Sequence, residues 1–158
     1  MCGIVGVGRF TDYGIGYKER EIFTDLLVAG ALRGTDGTGA FIVDSTHEVR
    51  TLKIAGQPFG LLQSSAYDAF FNKHQKNFGA KEPQDRFLVG HNRHGTVGKN
   101  TTENAHPHVV GDITLVHNGT LREYSKLPKM KDFDVDSCAL ANAIQVMGIE
   151  EAIANTHG

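Results

Sequence analysis

The order of short apolar runs limits what this chain can fold into more than any other feature of the sequence. The segments GAFIVD and EVRTLKIA have the pattern of strands and flank Ser45-Thr46, which predicts a β-hairpin. Residues 2–8, RFLVGH and DITLVHNG predict three further strands. The sheet content is therefore spread along most of the chain.

Helical periodicity appears between and after these strands. Residues 17–32 and 58–73 predict amphipathic helices, the second with Pro58 suited to its first turn. Another helix is predicted to begin at Asp136, followed by a short one in IEEAIANTHG. Because the helices and strands mix without a strict βαβ rhythm, we expect an α+β fold with largely antiparallel strand pairing.

Two glycine-rich segments are predicted as loops. The first, RGTDGTG at residues 33–39, contains three glycines and follows a helix. The second, residues 92–108, reads NRHGTVGKNTTENAHPH and is long for a connection within a domain. Long structured loops are often functional, so this segment is a candidate to carry part of a site.

Composition excludes several classes of function. The 158 residues suffice for one domain with a core, and the net charge of −2 argues against nucleic acid as the main partner. No apolar run of membrane-spanning length occurs, and no secretory signal is visible at the N-terminus. Cys2 and Cys138 are therefore expected to be free thiols in a reducing cytoplasm.

Cys2 is the first candidate for chemistry, because it directly follows the initiator methionine. Removal of Met1 would give Cys2 a free α-amine with a reference pKa of about 7.7–8.0. The neutral amine can serve as general base for the thiol of the same residue. The alternative is a small buried residue at the start of a strand. Gly3, Gly6 and Gly8 do not have the spacing of a dinucleotide-binding loop.

Asn118 and Gly119 are candidates for stabilising an oxyanion. They follow an apolar strand and offer a side-chain amide and a backbone N–H, the kind of donors that an acyl-transfer site requires. Asn-Gly is also the commonest signal for a two-residue hairpin. Residues 124–133 do not resemble a partner strand, which weakens that alternative.

Arg93 and Asp136 are candidates for holding a charged substrate. Arg93 opens the long glycine-rich loop, where a guanidinium can bind a carboxylate through two hydrogen bonds. Asp136 precedes a helix, where it could cap the helix, bind an ammonium group, or do both. For Arg93 the alternative is a solvated arginine in a loop.

Histidines crowd into one part of the chain and raise the question of a metal. His91, His94, His106, His108 and His117 fall within 27 residues, in spacings that include H-x-x-H and H-x-H. Neither a cysteine nor an acidic residue falls at a tight ligand spacing beside them. We expect neither a metal nor a cofactor.

The succession of these motifs resembles a known family. Cys at position 2, RGTDGTG, HNRHGTVG, NAHPH, VHNG and an aspartate that opens a helix occur in this order from Cys2 to about residue 147. The chain resembles the glutaminase domain of class II glutamine amidotransferases, which are N-terminal-nucleophile (Ntn) hydrolases. Within that family the resemblance is greatest to the branch that contains glucosamine-6-phosphate synthase.

The resemblance implies a role for each candidate residue. Cys2 would be the nucleophile, and Asn118 with the Gly119 N–H would form the oxyanion hole. Arg93 would hold the α-carboxylate of L-glutamine and Asp136 its α-ammonium group. Thr96 would line the glutamine pocket together with His94, which stands where the nearest branch has tryptophan. The products would be glutamate and ammonia, the latter used by a synthase or acceptor domain, or by a subunit in trans.

The resemblance also implies an Ntn αββα sandwich, with antiparallel sheets flanked by helices. Residues 2–158 would form a single type-2 glutamine amidotransferase domain that lacks the C-terminal strands of the family and is thus truncated. Two alternatives remain open: an inactive or regulatory interaction module of the same fold, and a hydrolase of another γ-glutamyl amide.

Overall fold

The computed structural model describes residues 1–10, 13–72, 84–122 and 124–157. Its strands are β1 (Gly3–Gly8), β2 (Gly37–Asp44), β3 (Val49–Ala55), β4 (Asp85–Arg93), β5 (His108–Val110) and β6 (Ile113–Leu115). Its helices are α1 (Tyr17–Ala29), α2 (Pro58–Leu62), α3 (Ser65–Asn72), α4 (Asp136–Met147) and α5 (Ile149–Ala154). Within these ranges, no helix has the length and apolar character needed to cross a membrane.

The strands form two antiparallel sheets. The larger sheet has the order β1-β4-β2-β3, and the smaller one pairs β5 with β6. The predicted hairpin is confirmed as β2 and β3, with Val43 opposite Val49 at its closed end. Antiparallel sheets flanked by helices confirm the predicted α+β class and agree with an Ntn sandwich.

The helices cover one face of the larger sheet. Helix α1 packs on β1 and β4, and α2 and α3 pack on β2 and β3. Phe23 and Leu27 of α1 are fully buried there, and both closely approach Gly90 on β4. The core between helices and sheet contains Phe23, Leu27, Ala40, Ile42, Leu61, Tyr67, Phe70, Phe71 and Leu88.

A second core lies between the smaller sheet and the C-terminal helices. Helix α4 packs on β5 and β6, and α5 packs on α4. The buried apolar side chains of this core are Leu121, Leu127, Ala139, Leu140, Ala143 and Ala152. The helix predicted to begin at Asp136 is thus confirmed, and it ends at Met147.

The two-residue period of β4 directs two of its polar side chains, His91 and Arg93, to the face opposite the helices. Leu88 and Gly90 face the helix core, so His91 and Arg93 point to the other side. Gly3 of β1 pairs with Asn92, which places the preceding residue, Cys2, level with Arg93 on that same side. The strand order thus brings the N-terminal thiol beside the long glycine-rich loop.

Some predicted boundaries are wrong. Residues 37–39 of the predicted loop RGTDGTG are the first residues of β2. The predicted helix over 58–73 is two helices, because Ser64 Oγ accepts the Tyr67 N–H and begins a new helix. Position 73 lies outside the described residues. The helix predicted over 17–32 ends as an α-helix at Ala29 and continues as one 3₁₀ turn over Gly30–Leu32.

The alternative interpretation of Asn118-Gly119 as a hairpin turn is also wrong, for the part of the chain that the structure describes. Strand β6 ends at Leu115, and the next regular element is a 3₁₀ turn at Met130–Asp132. The tight turn lies instead at residues 111–112, between β5 and β6, where Gly111 has φ +56°. Glycine adopts this conformation without the steric penalty of a side chain.

Candidate active site

An open cleft contains five of the seven residues that the sequence singled out. It has a volume of about 310 Å³ and is lined by Met1, Cys2, His94, Thr96, Asn118, Gly119, Thr120 and Arg122. Cleft residues come from the start of β1, from the loop after β4 and from the loop after β6. Its volume lies at the lower end of the range for small-molecule sites.

A small recess beside the cleft contains the remaining two residues, Arg93 and Asp136. Cys2, His94, Thr96 and Gly119 line both spaces, so the recess and the cleft adjoin. The recess measures about 20 Å³, which is close to the space for one water molecule. All seven candidates are therefore gathered around one thiol, although they span residues 2 to 136.

Cys2 is held by the backbone and by one arginine. Its Sγ accepts the His94 N–H at 3.3 Å and lies 3.6 Å from the His94 carbonyl oxygen. Its own carbonyl accepts a hydrogen bond from Arg33 Nε at 2.8 Å. The residue is 8% exposed and faces both the cleft and the recess. Both Cys2 and Cys138 are free thiols, as predicted.

Arg93 is buried rather than solvated in a loop. Its Nη2 donates to the Val97 carbonyl at 2.6 Å, and its Nη1 donates to Asn100 Oδ1 at 2.7 Å. The guanidinium therefore folds the loop after β4 around itself. A substrate carboxylate that binds it through two hydrogen bonds would replace these loop contacts at one or both nitrogens.

Asp136 begins α4 as its first helical residue, and the capping position is occupied by Val135. The interpretation of Asp136 as the N-cap is therefore wrong. Its Oδ2 accepts the Leu121 N–H at 2.7 Å, and its Oδ1 accepts the N–H of Ser137 at 2.8 Å. The carboxylate is buried and still has lone pairs that can accept from a cation.

The loop after β4 is fixed at two further points. Gly95 N–H donates to Asp36 Oδ2 at 2.8 Å, and His94 Nδ1 lies 3.6 Å from the same oxygen. The hydroxyls of Thr96 and Thr120 are 2.9 Å apart and join the two loops across the mouth of the cleft. This geometry gives Asp36 a structural role in the site.

Asn118 and Gly119 are both exposed to the cleft. The neighbouring His117 ring lies so close to Gly119 that an added Cβ would come within 2.7 Å of His117 Nε2. Any side chain at position 119 would therefore displace the ring or the loop. Glycine suits this point, because only a residue without a side chain lets the backbone approach the ring so closely.

Three histidines, His91, His106 and His108, are buried beneath the cleft. Within the described residues, several of their ring nitrogens have no hydrogen-bond partner. His91 stacks on His106 and His106 contacts His108, with ring centroids 4.0 and 4.5 Å apart. Burial lowers the pKa of His91 to about 4 and that of His108 to about 3, and it also lowers the pKa of His106. The rings are therefore neutral near pH 7. Among the described residues, no cluster with metal-binding geometry is present.

The sequence reasoning missed the residues that hold the candidates in place. Asp36 lay in the predicted loop RGTDGTG, and His117 lay within VHNG, but neither was assigned a role. Ser137 lines the recess next to Asp136 and gave no signal at all. Such residues act by contacting the candidates, and contacts between distant parts of the sequence are known only from the fold.

Comparisons with known proteins identify relatives that align with most of this chain. The glutamine–fructose-6-phosphate aminotransferase of Wigglesworthia glossinidia brevipalpis is 30% identical over 154 residues, which cover 91% of this chain and 22% of that protein. The enzymes of the same name from Aliivibrio fischeri and Pectobacterium atrosepticum are 33% and 32% identical, over 80% and 82% of this chain. The chain spans about a fifth of the length of these relatives. No protein-family model matches it.

Proposed function

Because the chain belongs to the class II glutamine amidotransferase family, we propose that it is a glutaminase domain that hydrolyses the side-chain amide of L-glutamine. The observation that carries this proposal is the convergence of seven candidate residues on one cleft and its adjoining recess. Around the Cys2 thiol lie the two proposed oxyanion donors, two groups of opposite charge, Thr96 and His94. Such a set suits a small zwitterion that carries an amide.

The proposed reaction begins with removal of Met1, which leaves Cys2 with a free α-amine. The amine accepts the thiol proton, and the thiolate attacks the amide carbon of glutamine. The oxygen of the tetrahedral intermediate accepts hydrogen bonds from the Asn118 side chain and the Gly119 N–H. The protonated amine then gives its proton to the departing nitrogen, so ammonia leaves and a γ-glutamyl thioester remains.

A water molecule completes the reaction. The α-amine of Cys2 removes a proton from this water, which attacks the thioester carbonyl within the same pair of oxyanion donors. The thiol recovers its proton as the carbon–sulfur bond breaks, and glutamate is released. Cys2 thus supplies the nucleophile of the first half and the base of both halves, so no histidine–aspartate pair is required.

Arg93 and Asp136 supply recognition of a free amino acid. Arg93 would bind the α-carboxylate and Asp136 the α-ammonium group, and both are buried at the closed side of the cleft. Charged hydrogen bonds in a buried recess are stronger than those to neutral partners. A peptide-bound glutamine has neither terminal charge, so we expect it to be a poor substrate.

The ammonia would be used elsewhere, by a synthase or acceptor domain or by a subunit that acts in trans. The names of the relatives describe an amino transfer to fructose 6-phosphate by those proteins, and the present chain aligns with about a fifth of each. We further propose that the domain works in the cytoplasm. The two free thiols support this, because a reducing compartment preserves them.

A direct test is the release of glutamate and ammonia from L-glutamine by the purified chain. We expect equal amounts of the two products, and we expect Cys2→Ala to abolish both. Cys138→Ala is the matched control and should retain activity, because that thiol lies on α4 and does not line the cleft. Equal release by the wild type and Cys2→Ala would refute the proposal.

The same assay separates the two alternatives. A panel of other γ-glutamyl amides identifies a different substrate if one of them is hydrolysed faster than glutamine. An inactive or regulatory module would release nothing from any member of the panel. It would also show no reaction of Cys2 with electrophiles.

A further inference from the structure

The segment that carries Asn118 and Gly119 is fastened at both ends by hydrogen bonds to other elements of the fold. At one end, His91 Nε2 on β4 donates to the His117 carbonyl oxygen at 3.0 Å. At the other end, the Leu121 N–H donates to Asp136 Oδ2 at 2.7 Å. The central strand of the larger sheet and the first turn of α4 thus fix the backbone of residues 117–121.

The His117 side chain forms a third attachment. Its Nδ1 lies 3.0 Å from Ser137 Oγ, and the Ser137 hydroxyl donates to Asp136 Oδ1 over 3.4 Å. One hydrogen bond therefore joins the imidazole ring of His117 to the Ser137 hydroxyl, whichever atom donates. On its other side the ring touches Gly119, so the imidazole fills the space between Ser137 and Gly119.

We propose that Ser137 and His117 form a positioning pair that holds the oxyanion donors at a fixed distance from Asp136. This inference rests on the proposed function, since it assigns the pair to that same site. The hydroxyl sets the position of the ring, and the ring sets the position of Gly119. Neither residue takes part in a bond change.

The pair should influence kcat more than KM. The oxyanion donors act on charge that develops only in the transition state, so a displaced Gly119 lowers kcat. Ground-state binding depends on Arg93 and on Asp136, and Asp136 keeps its backbone hydrogen bonds from Leu121 and Ser137 when the serine hydroxyl is removed. A general loss of structure would instead change both kinetic constants and the melting temperature.

The first test is Ser137→Ala in the full chain, compared with Ser64→Ala. Ser64 is the matched control, because its hydroxyl is also hydrogen-bonded but lies away from the cleft, at the junction of α2 and α3. We expect Ser137→Ala to lower kcat for glutamine about tenfold, with KM within about twofold. Wild-type values of kcat for Ser137→Ala would overturn the inference, and so would an equal loss in Ser64→Ala.

The second test is a double-mutant cycle with His117→Asn, which removes the ring that contacts Gly119. If the two residues act as one unit, kcat of the double variant is no lower than that of the worse single variant, about tenfold below the wild type. If the two single effects multiply, so that kcat of the double variant falls about a hundredfold, the residues act independently and the inference is overturned. Failure of the proposed function is a different result, because the wild type itself would then release no glutamate.

Discussion

At the scale of single residues, the site depends on contacts that leave no room for side chains. Gly119 is one such position, because a Cβ there would lie 2.7 Å from His117 Nε2. We expect Gly119→Ala to lower kcat for glutamine by about a hundredfold, the usual effect of losing one oxyanion donor. Steady-state kinetics measure this directly.

The control for that substitution is Gly6→Ala on β1. An added Cβ at Gly6 makes an ordinary contact of 3.7 Å with the Leu88 carbonyl oxygen, so we expect wild-type kcat. If Gly119→Ala also has wild-type kcat, the backbone of residue 119 does not contribute to the oxyanion site.

Asp36 is a second residue whose contribution to the site can be measured, through its effect on KM. Its carboxylate accepts the Gly95 N–H, and removing this partly buried acceptor loosens the loop that carries His94 and Thr96. We expect Asp36→Ala to raise KM for glutamine about tenfold. Asp36→Asn keeps an oxygen acceptor, so its KM should stay within about threefold of the wild-type value. Equal KM values for both variants and the wild type would contradict the role assigned to Asp36.

The sequence singled out the residues that we propose for the chemistry, but not the residues that hold them in place. Cys2, Asn118 and Asp136 belong to short motifs whose residue types suggest a reaction. By contrast, Asp36 and Ser137 are ordinary residues in sequence, and their importance comes from a hydrogen bond to a segment far along the chain. The state of Arg93, buried and bonded to its own loop, also could not be read from its position before that loop.

At the scale of secondary-structure elements, α1 stabilises the strands that carry the site. Leu27 is fully buried against the sheet, whereas its neighbour Leu26 is 41% exposed. We expect Leu27→Ala to lower the free energy of unfolding by about 2–5 kcal/mol, because it removes buried methyl groups and leaves a cavity. Leu26→Ala should lower the free energy of unfolding by less than about 1 kcal/mol. Urea denaturation of both variants tests this, and equal losses would contradict the packing described for α1.

Element positions followed from sequence patterns wherever one pattern was unambiguous. The β2–β3 hairpin and α4 were predicted because alternating or helical apolar spacing extends through them. The division between α2 and α3 was missed, because the apolar spacing continues across it while Ser64 starts a new helix with a side-chain hydrogen bond. The turn at residues 111–112 was not predicted, because Gly111-Asp112 is a weaker hairpin signal than Asn118-Gly119.

At the scale of the whole molecule, the buried histidines make stability depend on pH. Burial lowers the pKa of His91 to about 4 and that of His108 to about 3, and the pKa of His106 is lowered too. In the unfolded chain each would titrate near pH 6.5. The unfolded state therefore binds more protons below that pH, and the stability present above pH 6.5 is lost as the pH falls.

We expect the free energy of unfolding to fall by about 1 kcal/mol per buried histidine between pH 7.5 and pH 5.5. Urea denaturation at several pH values measures the total. His108→Gln should flatten the dependence, because it removes one of the buried rings. A wild-type stability that does not change over this range would contradict neutral burial of the three rings.

The central claim is that the chain recognises glutamine and attacks it with Cys2. The most direct measurement is the intact mass of the purified chain after reaction with an electrophilic glutamine analogue, with and without excess L-glutamine. We predict a chain that has lost Met1, one adduct located on Cys2 by peptide mapping, and protection of that adduct by glutamine. An unmodified Cys2, or labelling that glutamine does not slow, would contradict the claim.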